Sequence, residues 1–233
     1  MITQHKKLMT YTYFNQDPGW NIRTTHLFSP VRKDIPLMTR VPFPTMVVDL
    51  KNPDFINQWS SSTRTKINKA IRENLTADRG HYLLPDILKL FSATADRKGL
   101  RGYTPEDFDE LFPIESSAVF YEEVMLCSHI WLMDKEEKRA LLYVNASNHH
   151  NQNDDTSFTG RAHYFLLWQD GIYLRQLGIE TMDLMGYEPD SKHPWLKGIY
   201  QWKAGTHGKE EVLYHYYPGW FYVLRKFRNM LTG

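Results

Sequence analysis

The strongest alternation of apolar and polar positions lies between Ala118 and Asn145. Ala118–Met133 is dense in Val, Phe, Tyr, Ile and Trp, Asp134-Lys-Glu-Glu-Lys138 is wholly polar, and Arg139-Ala-Leu-Leu-Tyr-Val-Asn145 is largely apolar again. Two such runs about a polar turn predict an antiparallel hairpin. A polar loop, Ser147–Ser157, follows, and then a helix from about Gly160 to Leu177. Tyr164, Leu167, Gly171 and Leu174 fall on one stripe of that helix, and Phe165, Trp168 and Ile172 on the next. So wide an apolar face predicts close packing on a sheet. Gly178 ends the helix, and Ile179–Met185 reads as a strand. Strand, helix and strand in that order predict a right-handed crossover between parallel neighbours.

The flanks are less regular. Residues 1–44 carry prolines at 18, 30, 36, 42 and 44, which suits short strands and turns. Thr45–Leu50 reads as a buried strand. Ser60-Ser-Ser-Thr63 offers caps for a helix over Arg64–Leu75, whose apolar positions are sparse. Between Arg64 and Arg79 there are five basic residues and two acidic ones. Pro85 and Gly99 bracket a second helix with Ile87, Leu88, Phe91 and Ala95 on one face. Thr104-Pro-Glu-Asp opens a short one. Late in the chain, Trp195–Ala204 reads as a helix and Val212–Tyr217 as a strand. Pro218 opens a last helix with Trp220, Leu224, Phe227 and Leu231 at spacing 4, 3, 4. That spacing predicts a core-facing stripe, with Arg225, Lys226 and Arg228 as its wet rim. The fold class is therefore α+β (mixed α/β), with an antiparallel hairpin feeding a parallel crossover. Residues 1–80 are expected to form an N-terminal flank or reduced lobe, strands plus the basic helix of 62–75, and residues 81–233 a core.

Composition narrows the function classes. With 28 basic and 27 acidic residues in 233, the net charge is +1, and no global field favours nucleic acid or an anionic membrane. Any such contact must be local. The start MITQHKKLMTYTYF lacks the apolar run of a secretory leader, and no stretch approaches the roughly 18 apolar residues of a membrane span. A cytoplasmic protein without membrane insertion is expected. The single cysteine, Cys127, excludes an internal disulfide and lies among Met125, Leu126 and Ile130, as a buried inert thiol would. His149-His150 and Asp154-Asp155 lack a third ligand at a recognisable spacing, so no metal is expected.

Three strings carry a resemblance. Ser62-Thr-Arg-Thr-Lys-Ile-Asn-Lys-Ala70 is a basic helix. Leu167-Trp-Gln-Asp-Gly-Ile172 leads into Leu177-Gly-Ile-Glu-Thr-Met-Asp-Leu-Met-Gly186, a helix, turn and strand ending in Asp-x-x-Gly. Gly198-Ile-Tyr-Gln-Trp-Lys203 is a late helix with an aromatic-Lys pair. Together with the order of elements over residues 60–217, they resemble the FemXAB-like branch of the GNAT acyltransferase fold. Ser157-Phe-Thr-Gly160-Arg-Ala162 supplies the Gly-x-Ala half of the GNAT phosphate-binding string, without its leading Gln or Arg.

The resemblance implies a mixed sheet in which the strands before and after the central helix splay apart to admit the arm of an acyl thioester. It further implies acyl-CoA or acetyl-CoA as the donor and an amine or amino sugar as the acceptor. Tyr143 and Asn145 of the first strand, and Gly160, Arg161 and Ala162 at the helix start, are the implied donor contacts. A helix N-terminus and a glycine favour an approaching phosphate. Asp183 and Glu188, at the end of the second strand, are candidates for base or amine holder, and Tyr187 and Tyr200 for protonating the leaving thiolate. Arg64 and Lys203 are candidate substrate contacts. A Fem-like transferase using aminoacyl-tRNA is the second reading, and it would load the 64–72 face with phosphate contacts. A catalytically silent binding module is the third, favoured by the missing Gln or Arg. The oligomeric state is not legible.

Overall fold

A computed structural model describes residues 1–6, 9–97, 102–108, 111, 113–148, 156–188, 192 and 194–232, with backbone alone at 97, 156–157, 194–195 and 228–232. Its strands are β1 (Ile2–Lys6), β2 (Met9–Tyr13), β3 (Thr24–Ser29), β4 (Met38–Asp49), β5 (Thr76–Arg79), β6 (Ile114–Tyr121), β7 (Val124–Asp134), β8 (Arg139–Ser147), β9 (Thr181–Gly186) and β10 (Lys209–Pro218). Its helices are α1 (Ser61–Arg72), α2 (Leu84–Arg97), α3 (Thr156–Gln176), α4 (Pro194–Ala204) and α5 (Gly219–Thr232). Short 3-10 turns occupy Phe55–Gln58, His81–Leu83 and Pro105–Asp107. The class is mixed α+β, as the alternation predicts.

The chain forms two units. The first comprises Met1–Thr45 and Glu210–Gly233, the second Met46–Lys209. In the first, the strand order is β1-β2-β3-β10-β4, with β2 parallel to β3 and antiparallel pairs on either side. In the second it is β4-β9-β8-β7-β6-β5. There β5 to β8 run antiparallel, and β8 and β9 run parallel.

The expected hairpin is β7–β8, turned at Asp134–Lys138 as the polar run predicts. Asp134 accepts the backbone N–H groups of Glu136 and Glu137 at 3.0 and 3.2 Å. The run Ala118–Met133, however, is two strands. The chain reverses at Glu122-Glu123, both in the left-handed region (φ 46° and 67°), which is the geometry of a tight two-residue hairpin. Glutamate does not advertise such a turn, so the sequence reads as one strand.

The core of the second unit lies where α1 and α3 cover the sheet. Phe55, Trp59, Ile67, Ala70, Trp131 and Leu166 are buried there. Ser60 caps α1, its Oγ accepting the Thr63 N–H at 3.1 Å, so the helix begins at Ser61, three residues before the expected start at Arg64. Gly171 lets α3 approach Phe55 so closely that a Cβ would lie 2.5 Å from Phe55 Cζ. α3 itself begins at Thr156, one turn earlier than predicted. Gly160 invites reading the helix as starting there, but it sits inside the helix.

The last helix corrects the sequence reading. Trp220, Leu224 and Phe227 are exposed, at 44, 58 and 57 %, and do not face a core. Spacing shows that a helix is two-sided, but not which side meets the protein.

Candidate functional site

β8 and β9 stay paired at only three positions, Arg139–Thr181, Ala140–Met182 and Leu141–Asp183. β8 then runs on to Ser147 and β9 to Gly186, and among the described residues neither pairs with the other again. The strands fork.

The fork has an identifiable cause. Asp183 is fully buried. Its Oδ2 accepts both Nε and Nη2 of Arg139, the former at 3.0 Å, and its Oδ1 accepts the Met185 N–H at 2.8 Å. Met185 takes φ +68°, a conformation L-residues seldom adopt, which turns β9 off its course. The carbonyls of Met185 and Gly186 then meet Lys203 of α4, whose Nζ donates to both. Burial pulls the Lys203 ammonium down to about 8, against a smaller opposing pull from Asp183. A carboxylate at the strand end and an ammonium beyond it thus bend the strand aside. Beyond Leu141, β8 has no paired strand on its β9 side among the described residues.

The predicted site residues divide between this architecture and the space it creates. Asp183 and Lys203 belong to the bracket. The Asp183 carboxylate, engaged by a guanidinium and a backbone N–H, is a poor base. Arg64 donates to the carbonyls of Asn57 and Trp59 and so fixes the turn before α1. Arg161 is buried and paired bidentately with Glu73, the residue that ends α1, through Nε and Nη2, each at 2.9 Å, with its guanidinium 5.3 Å from the Phe158 ring centroid. It ties α1 to α3, which takes it away from the phosphate role. Ala162 is fully buried and offers no surface. Tyr143 packs in a cluster with Tyr103 and Phe108, ring centroids 5.7 and 6.0 Å away.

The remaining candidates are better placed. Asn145 lies on the open stretch of β8, half-buried, with no hydrogen bond from its amide among the described residues. A Cβ at Gly160 would meet nothing within 4 Å. Tyr187 and Tyr200 come together just past β9, rings 5.5 Å apart, and Glu188 beside them is exposed. His149, His150, Asp154 and Asp155 lie outside the described residues.

One cluster escaped sequence reasoning. Asp170 of α3, buried, accepts His129 Nδ1 at 2.8 Å and Trp131 Nε1 at 2.9 Å through one oxygen, and Arg79 lies 3.6 Å from the other. A carboxylate only accepts, so Nδ1 carries the proton and Nε2 of a neutral His129 is left as an acceptor. That Nε2 has no hydrogen-bond partner among the described residues. The His129 ring stacks on His163, centroids 5.7 Å apart, and His163 Nε2 is hydrogen-bonded to Ser147 Oγ at 2.7 Å. Trp202 packs against both imidazoles. Ser147 ends the open stretch of β8, so this buried polar chain reaches the fork. The available signals were an Asp inside an apolar helix and a His inside an apolar strand, since each demands a buried partner. Cys127, on the same strand, is buried, and burial together with the charge of Asp170 pushes its thiol well up.

No protein-family model matches the sequence, and no curated protein matches it. Solved structures do. FemX aligns with a TM-score of 0.60 at 13% identity, over 82% of this chain and 64% of that one. The C-terminal DUF2156 domain of a proposed lysylphosphatidylglycerol synthetase from Agrobacterium fabrum aligns at 0.56 and 15%, over 83% and 67%. L-PGS from Bacillus licheniformis aligns at 0.53 and 11%, over 78% and 62%. The chain thus spans about two thirds of the length of each. At these identities the likeness is one of fold, the fold of FemX and of the DUF2156 domain.

Proposed function

We propose that this chain transfers an acyl group from an acyl-CoA-type thioester to an amine, with the donor arm lying in the β8–β9 fork. The observation that carries this reading is the end of pairing after Leu141 and Asp183. A strand edge without a neighbour offers N–H and C=O groups at the spacing an extended, amide-bearing arm can use. At the mouth, the first N–H groups of α3, over Thr156–Phe158, have no intrahelical acceptor and suit a phosphate. Gly160 leaves room beside them.

In the reaction, the amine nitrogen attacks the acyl carbonyl carbon. The carbon–sulfur bond breaks, and the thiolate takes a proton. A free alkyl amine is only about one part in a thousand neutral at pH 7, so a group must accept its proton. Glu188 takes that role, since Asp183 is held by Arg139. Tyr187 and Tyr200 stand ready to protonate the sulfur, and Asn145 to orient the donor arm. The acceptor is a small amine or amino sugar.

A specific observation favours a second reading, an aminoacyl-tRNA donor. Arg161 is taken by Glu73, whereas Lys66 and Lys69 of α1 remain exposed, as a nucleic-acid contact would need. FemX and L-PGS share the fold. Thermal shift measurements separate the two. Acetyl-CoA or CoA raising Tm, with the response weakened by Asn145→Ala, supports the first. A response to tRNA alone, steep in salt, supports the second. Silence toward both overturns both and leaves a binding module.

A further inference from the structure

α5 is an amphipathic helix whose apolar side faces solvent. Trp220, Val223, Leu224 and Phe227, at i, i+3, i+4 and i+7, form one stripe, and all four are exposed. Such a stripe normally finds a core. The stripe continues at its N-terminal end into a groove of about 410 Å³, walled by Trp20, Ile22 and Leu37 together with Trp220. Trp220 Nε1 donates to the Ile22 carbonyl at 2.9 Å and Gly219 N–H to the Leu37 carbonyl at 2.9 Å, so groove and helix form one continuous surface.

Charge says what covers it. α5 contains Arg225, Lys226 and Arg228 and no acidic residue. The first unit holds nine Lys and Arg against four Asp and Glu, while the second holds 19 against 23. The near-neutral total conceals a basic unit carrying the apolar stripe. Arg225 and Lys226 lie over the rings of Tyr217 and Tyr222, at 4.9 and 5.2 Å from their centroids, and remain exposed beside the stripe. Pairing of this face with a second copy would set like charges together. An anionic bilayer surface instead takes Trp, Leu and Phe into its headgroup boundary and neutralises the flanking cations.

We infer that α5 and the adjoining groove form a peripheral docking surface for anionic lipid bilayers. The test is cosedimentation of the full chain with phosphatidylcholine vesicles, with and without phosphatidylglycerol. Binding is expected to the phosphatidylglycerol-containing vesicles, to weaken with salt, and to fall on the order of a hundredfold in Leu224→Glu/Phe227→Glu. Both positions are exposed, so the variant folds, which circular dichroism checks. A second variant, Arg225→Gln/Lys226→Gln, keeps the apolar stripe and loses affinity for the anionic vesicles alone. Equal binding to both vesicle types overturns the inference. So does absence of vesicle binding, including the case of a dimer in sedimentation velocity that the Leu224 and Phe227 substitutions dissolve.

Discussion

Asp183→Asn tests the origin of the fork. The substitution preserves shape and leaves one side-chain oxygen to accept the Met185 N–H, which Asp183 now accepts at 2.8 Å. It turns an NH2 group or a neutral oxygen toward the Arg139 guanidinium, which the carboxylate now holds through Nε at 3.0 Å and through Nη2. The side chain of Asp183 is 0% exposed and that of Arg139 14%, so the stranded cation has little water to turn to. Removing one partner of a buried pair costs about 3–5 kcal/mol, and the residual exposure of Arg139 places this site near 3. In a chain of this size that lowers Tm by roughly 6–12 °C. Urea denaturation of Asp183→Asn, Arg139→Met and the double variant measures it. The double variant should be more stable than the sum of the single costs by about 2 kcal/mol, because the methionine removes the orphaned charge. Additive costs, or a loss below about 1 kcal/mol for Asp183→Asn, would refute the bracket.

Two further substitutions probe the packing. Gly171→Ala improves helix propensity by about 1 kcal/mol but drives a Cβ to 2.5 Å from Phe55 Cζ and 2.9 Å from Cε2, where Phe55 is pinned edge-on against Trp59. A net loss of about 1–2 kcal/mol in urea is expected, and a stabilised variant would show that α3 stands further from Phe55. His215 lies stacked on Phe43 and edge-on to Phe28, and burial, helped by the Arg225 charge, pulls it down to about 4. The unfolded chain therefore binds the extra proton between about pH 4 and 6.5, so stability rises with pH across that window and the penalty is complete below it. Allowing for the ring's residual exposure, the change is about 2 kcal/mol. His215→Phe should flatten that part of the stability–pH curve, whereas an unchanged slope would put another group there.

Legibility followed the range of the interactions. The β7–β8 hairpin and the α3–β9 crossover rest on local patterns, a polar run between apolar ones and a glycine after a helix, and both stand where the pattern puts them. The Glu122-Glu123 reversal was hidden because its residues carry no turn chemistry. The candidate site was legible in residue type but not in role. An acidic residue at a strand end and a lysine on the next helix were visible at Asp183 and Lys203. Their partners, Arg139 44 residues away and the Met185 and Gly186 carbonyls, are set only by the fold. The His129–Asp170 and Ser147–His163 pairs, 41 and 16 residues apart, were invisible for the same reason.

That difference bears on where chemistry can reside in such a site. Desolvated charge is tolerable only when paired, so Asp183, Arg139, Arg161 and Glu73, having found one another, hold strands and helices and are poorly placed to exchange protons with a ligand. Groups that stay open are either exposed, like Glu188, or lie on the unpaired stretch of β8, like Asn145. The fork depends on both sets. Without the bracket at Asp183 and Lys203, β9 would be free to stay paired with β8 beyond Leu141, and the edge proposed to receive the donor arm would be satisfied by the protein's own backbone. Loss of acyl-donor response in a folded Lys203→Met variant would then report a closed fork, and Asn145 would be blocked in the same molecule without having been touched.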